Sequence, residues 1–113
     1  MCRTVIGDTA EESARSLAEA GVAAVGVNCG NLDPHESSII IGIMTDIVSI
    51  PIIAQPNAGI PLLVDNEAVF DMKPKDFAEG IAECIAAGAT IVGGCCGTTP
   101  EHIRCIAGTI CKK

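Results

Sequence analysis

Gly93-Gly94-Cys95-Cys96-Gly97-Thr98-Thr99-Pro100 decides how this chain is read. It closes an apolar run, Ala89–Cys96, on two adjacent thiols and starts a helix at Thr99-Pro100. An apolar run with little polar alternation is the pattern of a strand buried on both faces. A second version of the same text lies upstream. Ala20-Gly21-Val22-Ala23-Ala24-Val25-Gly26-Val27-Asn28-Cys29-Gly30 matches Ala87-Gly88-Ala89-Thr90-Ile91-Val92-Gly93-Gly94-Cys95-Cys96-Gly97. Both put Ala-Gly at a helix end, Val-Gly inside a strand and Cys-Gly at the strand's C-terminal end. Repeated βα units are what a barrel is built from, although two units also arise from strong βα grammar alone.

The remaining segments fit that grammar. Thr9–Ala20 reads as an amphipathic helix with Ala10, Ala14, Leu17 and Ala18 on one face. Its capping box is Asp8 with Glu11 or Thr9 with Glu12, and Gly21 ends it. Val22–Cys29 is the first strand. Asp33, Pro34 and Glu36 cap a helix that runs to about residue 47. Ile50–Gln55 is the second strand and ends at Pro56-Asn57-Ala58-Gly59; residues 60–72 read as a longer loop. Pro74–Ala87 is a helix burying Phe77, Ile81, Cys84 and Ile85, and the last helix turns Ile103, Ile106 and Ile110 inward. The order α-β-α-β-α-β-α predicts right-handed βαβ units around a parallel sheet, in one domain over residues 1–113.

Composition narrows the function. Of 113 residues, 49% are hydrophobic and 19% charged, so a core is available and disorder is disfavoured. Only 2% are aromatic (Phe70 and Phe77), which leaves an aliphatic core suited to packed strands and helices. A net charge of -7 and the lack of stacking platforms argue against nucleic acid. No apolar run approaches the ~20 residues of a membrane span. The start, Met1-Cys2-Arg3-Thr4, has no signal-peptide core, so a cytoplasmic protein is expected. In that reducing compartment, seven cysteines point to free thiols or metal ligands rather than a disulfide framework.

Cys29 and the Cys95-Cys96 pair fall at the C-terminal ends of two non-consecutive strands, the edge where parallel α/β folds place their sites. Three thiolates suit zinc, which in reactive sites keeps three protein ligands and one open position. Such an electron-rich site activates water poorly, but a coordinating thiol loses its proton and stays nucleophilic. That is the chemistry of alkyl transfer to sulfur. The alternatives are three small core residues or a vicinal Cys95–Cys96 disulfide. Cys84 and Cys105 read as core, Cys2 and Cys111 as exposed, and His35 as solvated. His102 is a candidate support behind a metal ligand. Pro56–Gly59 reads as a tight turn or a backbone cradle, and Gly97-Thr98-Thr99 as an N-cap or a carboxylate site.

Gly26-Val27-Asn28-Cys29, Pro56-Asn57-Ala58-Gly59 and Gly93–Ile103 together resemble, in order and spacing, the homocysteine S-methyltransferase family from about Thr4 onward. The resemblance implies a (β/α)8 TIM barrel of which this chain holds the C-terminal part. Cys29 would then end strand six, Asn57 would follow strand seven, and Cys95 and Cys96 would end strand eight. It implies zinc held by Cys29, Cys95 and Cys96, with Asn28, Asn57, Ala58 and Gly59 shaping the amino-acid pocket. It further implies methyl transfer to homocysteine from methylcobalamin, S-methylmethionine or betaine, with cobalamin carried by another domain or partner. Strands one to five have no counterpart, so the expectation is a fragment that exposes two sheet edges and needs its missing half or a second copy. Two other readings stand beside it: a zinc- or thiol-binding fragment without activity of its own, and a metal-free redox or structural cysteine protein.

Overall fold

The computed structural model describes residue 4, residues 7–30 and residues 32–110. Cys2 and Cys111 lie outside these residues. Four helices and five strands follow in chain order: α1 (Ala10–Glu19), β1 (Val25–Asn28), α2 (Pro34–Thr45), β2 (Ile52–Gln55), β3 (Leu62–Val64), β4 (Glu67–Val69), α3 (Pro74–Ala87), β5 (Ile91–Val92) and α4 (Pro100–Ile110).

The three strands anticipated from the apolar runs form one parallel sheet in the order β1-β2-β5. Val25 pairs with Ile52, and Ile53 with Ile91, so β2 is central. The strands are shorter than their apolar runs: residues 22–24 and 50–51 precede β1 and β2, and β5 ends at Val92 before the loop that carries Gly93–Cys96. Val25, Val27, Ile52, Ala54 and Val92 join the core under the helices. The other sheet face is open: Gly26 is exposed and Ile91 is 50% exposed. Burial on both faces, expected from the apolar runs, is therefore not met among the described residues. These helices pack on one side only, and β1 and β5 are both edges.

The helix boundaries follow local chemistry. Thr9, rather than Asp8, caps α1, its hydroxyl accepting the Glu12 amide at 3.1 Å. Asp33 and Glu36 close the capping box of α2 around Pro34. Lys73 precedes Pro74 without a side-chain cap. Helices α2 and α3 approach closely where Gly80 meets Pro34 and the Cys84 thiol donates to the Pro34 carbonyl at 3.3 Å. Phe77, Ile81 and Cys84 are buried as expected, but Ile85, Ile103 and Ile110 are exposed. On α4 the inward pair is His102 and Ile106, one turn apart, so the stripe is rotated from the isoleucine face.

Residues 60–72, a loop by their sequence pattern, contain a hairpin. β3 and β4 pair antiparallel, Leu62 with Val69 and Val64 with Glu67, around Asp65-Asn66. Both turn residues have positive φ, 51° and 66°, the signature of a two-residue type I′ turn. Every residue from 62 to 69 is exposed, which removes the alternation that marks a half-buried strand.

Candidate metal centre

β1, β2 and β5 run parallel, so their C-terminal ends share one edge of the sheet. Cys29 leaves β1, Pro56–Gly59 leaves β2, and Cys95-Cys96 leaves β5 a few residues beyond Val92. The Sγ atoms of Cys29, Cys95 and Cys96 all lie within 4.8 Å of one another. Cys29 Sγ and Cys96 Sγ are 3.6 Å apart. Tetrahedral zinc with Zn–S bonds of about 2.3 Å places its sulfurs about 3.8 Å apart, so the cluster needs little adjustment to accept the ion. Cys29 and Cys95 are half-buried and Cys96 is exposed, which leaves one side open to an incoming ligand. The five described cysteines are all free.

Backbone geometry turns the thiols toward one another. Cys29 itself has φ 54°, followed by Gly30 at 68°. A non-glycine residue in this left-handed region costs energy that the surroundings must hold. One backbone bond ties Cys29 itself to β2, and two more tie the Cys95-Cys96 loop to the segment after β2. The Cys29 amide donates to the Gln55 carbonyl at 3.2 Å, the Cys95 amide to the Pro56 carbonyl at 2.9 Å, and the Ala58 amide to the Cys96 carbonyl at 2.9 Å. The thiols also order their own ionisation. Hydrogen bonds from Cys95 and Cys96, then one from the Gly30 backbone, hold the Cys29 thiol below its ordinary value. Cys96 is pushed up, first by its hydrogen bond with Cys29 and then by that sulfur's charge.

Each remaining sequence-derived residue has a definite place. Asn28 is the exposed last residue of β1, on the rim. Pro56, Asn57, Ala58 and Gly59 are all buried directly beneath the site edge. The Asn57 side chain is engaged: Nδ2 donates to the Gly30 carbonyl at 2.7 Å and Oδ1 accepts the Cys96 amide at 3.1 Å.

His102 is not part of the thiol cluster. It is buried, and both ring nitrogens have partners. The Thr99 amide donates to Nδ1 at 3.2 Å, which makes Nδ1 an acceptor and places the proton on Nε2. Nε2–H then donates to the Met72 carbonyl at 2.7 Å, and the ring stands edge-on to Phe77. His102 is thus a strut between α4 and the segment after β4. Thr99 caps α4, its hydroxyl accepting the His102 amide at 3.4 Å. His35 is exposed and pairs with Glu83 at 2.7 Å, which raises its pKa.

A contact absent from the sequence reading lies beside the thiols. Gly97 has φ 81°, and a Cβ there would stand 2.4 Å from Phe70, the residue that follows β4. The hairpin is therefore seated against the loop that carries Cys95 and Cys96. Gly97-Thr98-Thr99, which the sequence reads as an N-cap or a carboxylate site, gives no sign of this partner.

Comparison with known proteins adds an independent line. The family described as homocysteine S-methyltransferase matches residues 1–110. A methionine synthase of Mycobacterium leprae is 40% identical over 93 residues, covering 81% of this chain and 8% of that protein. A methionine synthase of Mycobacterium tuberculosis is 41% identical over 91 residues, covering 80% of this chain and 8% of that protein. The chain spans about 8% of the length of these curated relatives.

Proposed function

Because this chain belongs to the homocysteine S-methyltransferase family, we propose that it carries the thiol-activating part of a methyltransferase that converts homocysteine to methionine. The observation that supports this most directly is the convergence of Cys29, Cys95 and Cys96, with all three sulfurs within 4.8 Å. Cys29, Cys95 and Cys96 would hold one zinc ion as thiolates. When bound, zinc supplies the Lewis acidity that ionises an incoming thiol near neutral pH.

The chain's own residues do the rest. The exposed side of Cys96 and the rim residue Asn28 leave room for the substrate sulfur to approach. Buried Asn57, Ala58 and Gly59 form the floor of the amino-acid pocket. The homocysteine thiol gives its proton to solvent, and its sulfur attacks the donor methyl carbon in line. The new S–C bond forms as the donor leaves with the bonding pair of the old one. Methylcobalamin, S-methylmethionine or betaine would be held by surfaces outside this chain, with cobalamin on another domain or partner.

We further read the three-stranded sheet as strands six to eight of a (β/α)8 barrel. The parallel order β1-β2-β5, helices on one face and a half-exposed Ile91 on the other support this. The missing half-barrel, or a second copy, would cover that face. Reduced cysteines suit the cytoplasm. No helix among the described residues is long and apolar enough to cross a membrane.

The short span relative to its relatives favours one further reading, a fragment that binds zinc or a thiol but turns nothing over alone. Zinc content tests the shared premise. About one zinc per purified chain is expected, lost in Cys96→Ser. In the cobalt-loaded chain, homocysteine should shift the visible spectrum and methionine, which has no ionisable thiol, should not. Metal content equal to that of Cys96→Ser would overturn both readings. Methyl transfer gained on adding the missing strands in trans would favour the enzyme over the binding fragment.

A further inference from the structure

The three cysteine amides are held by three consecutive residues leaving the central strand. Gln55 and Pro56 supply backbone carbonyls to Cys29 and Cys95, which almost any residue there would also do. The third acceptor is different in kind: Cys96 donates to the side chain of Asn57 at 3.1 Å. The other end of that amide donates to the Gly30 carbonyl at 2.7 Å. One side chain, 2% exposed, therefore bridges the loop after β1 to the loop after β5. Its own amide is tied to the Leu32 carbonyl at 3.4 Å, so its position is set from behind.

Resting on the metal-site reading above, we infer that Asn57 is a positioning residue whose amide sets the spacing of Cys29 from Cys96 and so the closure of the three sulfurs on one metal. The residue type suits the task, because the bridge needs one acceptor and one donor on a short stem. Aspartate keeps the acceptor but turns an unpaired oxygen on the Gly30 carbonyl. Alanine removes both bonds. Gly30 and Cys96 are exposed, so water can replace the lost bonds. The damage then falls on sulfur alignment more than on folding.

The test uses the purified chain as wild type, Asn57→Ala, Asn57→Asp and, as a core control, Ile81→Val. Two probes are read: zinc affinity by chelator competition, and arsenite capture by the reduced, metal-free chain. Arsenite condenses with three thiols, As(OH)3 + 3 RSH → As(SR)3 + 3 H2O, without redox change, and requires the sulfurs to meet at one atom. Asn57→Ala should weaken both by about 10–100-fold, the usual effect of removing a group behind a metal ligand. Asn57→Asp should fall between wild type and Asn57→Ala for arsenite, whose neutrality removes the charge effect. Ile81→Val should lower the melting temperature and leave both probes unchanged.

Arsenite capture by Asn57→Ala within twofold of wild type overturns the inference, as does a wild type that captures none. If Asn57→Ala loses its helical circular dichroism, the Asn57→Asp ranking decides, and equality with wild type overturns it. Wild type that captures arsenite but takes no zinc would sink the metal reading while the arsenite ranking still tests Asn57.

Discussion

Replacing Gly97 by alanine should unseat the hairpin from the thiol loop. Gly97 has φ 81°, where an L-residue costs about 1–2 kcal/mol. The new Cβ would stand 2.4 Å from both Cβ and Cγ of Phe70 and 2.9 Å from Cδ1. Carbon atoms rest at about 3.5–4.0 Å, so Phe70 must retreat by roughly 1 Å or more. Overpacking of that kind costs about 1–3 kcal/mol, for a total of about 2–5 kcal/mol. Phe70 is only half-buried, but swinging its ring outward moves Cγ and Cδ1 and leaves Cβ in place, so the backbone of one segment must shift as well. The total is a large share of the roughly 5–15 kcal/mol that holds a domain together. Urea unfolding followed by circular dichroism would show a lower midpoint with an unchanged slope. Phe70→Gly, measured alone and in the same background, removes the Cβ as well as the ring, so Gly97→Ala should then cost only the about 1–2 kcal/mol from the backbone. A loss below about 0.5 kcal/mol, or no coupling between the two sites, would refute the reasoning.

Other expectations follow from single contacts. Burial pushes the Cys84 thiol from 9.0 up to about 11, so the folded chain keeps a proton that the unfolded chain has lost. This contribution is intact below pH 9.0 and is lost as pH rises toward about 11, a slope that urea titrations should find in wild type and not in Cys84→Ala. Glu83→Gln should lower the His35 pKa seen by NMR yet change stability by less than about 1 kcal/mol, because both partners are about half exposed. Whatever that pair adds is present below the unfolded histidine value of 6.5 and fades as pH rises through the raised one. Asn66→Gly should be neutral or stabilising at a left-handed turn, whereas Asn66→Val should cost about 1–2 kcal/mol in the urea midpoint.

Much of this arrangement was legible in the residues, for identifiable reasons. The three apolar runs had to become parallel strands, since each is followed by a helix-forming segment that returns the chain to the same edge. The parallel order then put Cys29, Cys95 and Cys96 on one edge of the sheet, and the loops beyond β1 and β5 close the distance across β2. The hairpin escaped because Leu62, Leu63 and Val64 do not alternate with polar residues; the clue was Asp65-Asn66 between that apolar triplet and Glu67-Ala68-Val69. Ile85, Ile103 and Ile110 looked like core because hydrophobicity reports what can be buried, not whether a neighbour is there to bury it. His102 was legible as a special residue, but its engagement depends on Met72, 30 residues away and invisible to local pattern. The bridge made by Asn57 was hidden for the same reason: turn chemistry explains an asparagine after a strand, and only the fold shows which carbonyl and which amide it meets.

The pairing of β1 with β2 and of β2 with β5 also governs when the thiol cluster exists at all. No strand of this sheet pairs with its neighbour through a tight turn. Each must wait for a long crossover to close, which is entropically costly and slow. The Cys29 and Cys96 thiols, 67 residues apart, therefore meet only when both crossovers have closed. A cation held there would act as a clasp between the two outer strands, binding only where both are in place. Chelation would then be felt in the unfolding rate of the whole sheet, from Val25 to Val92, and not only in the loops that touch the ion.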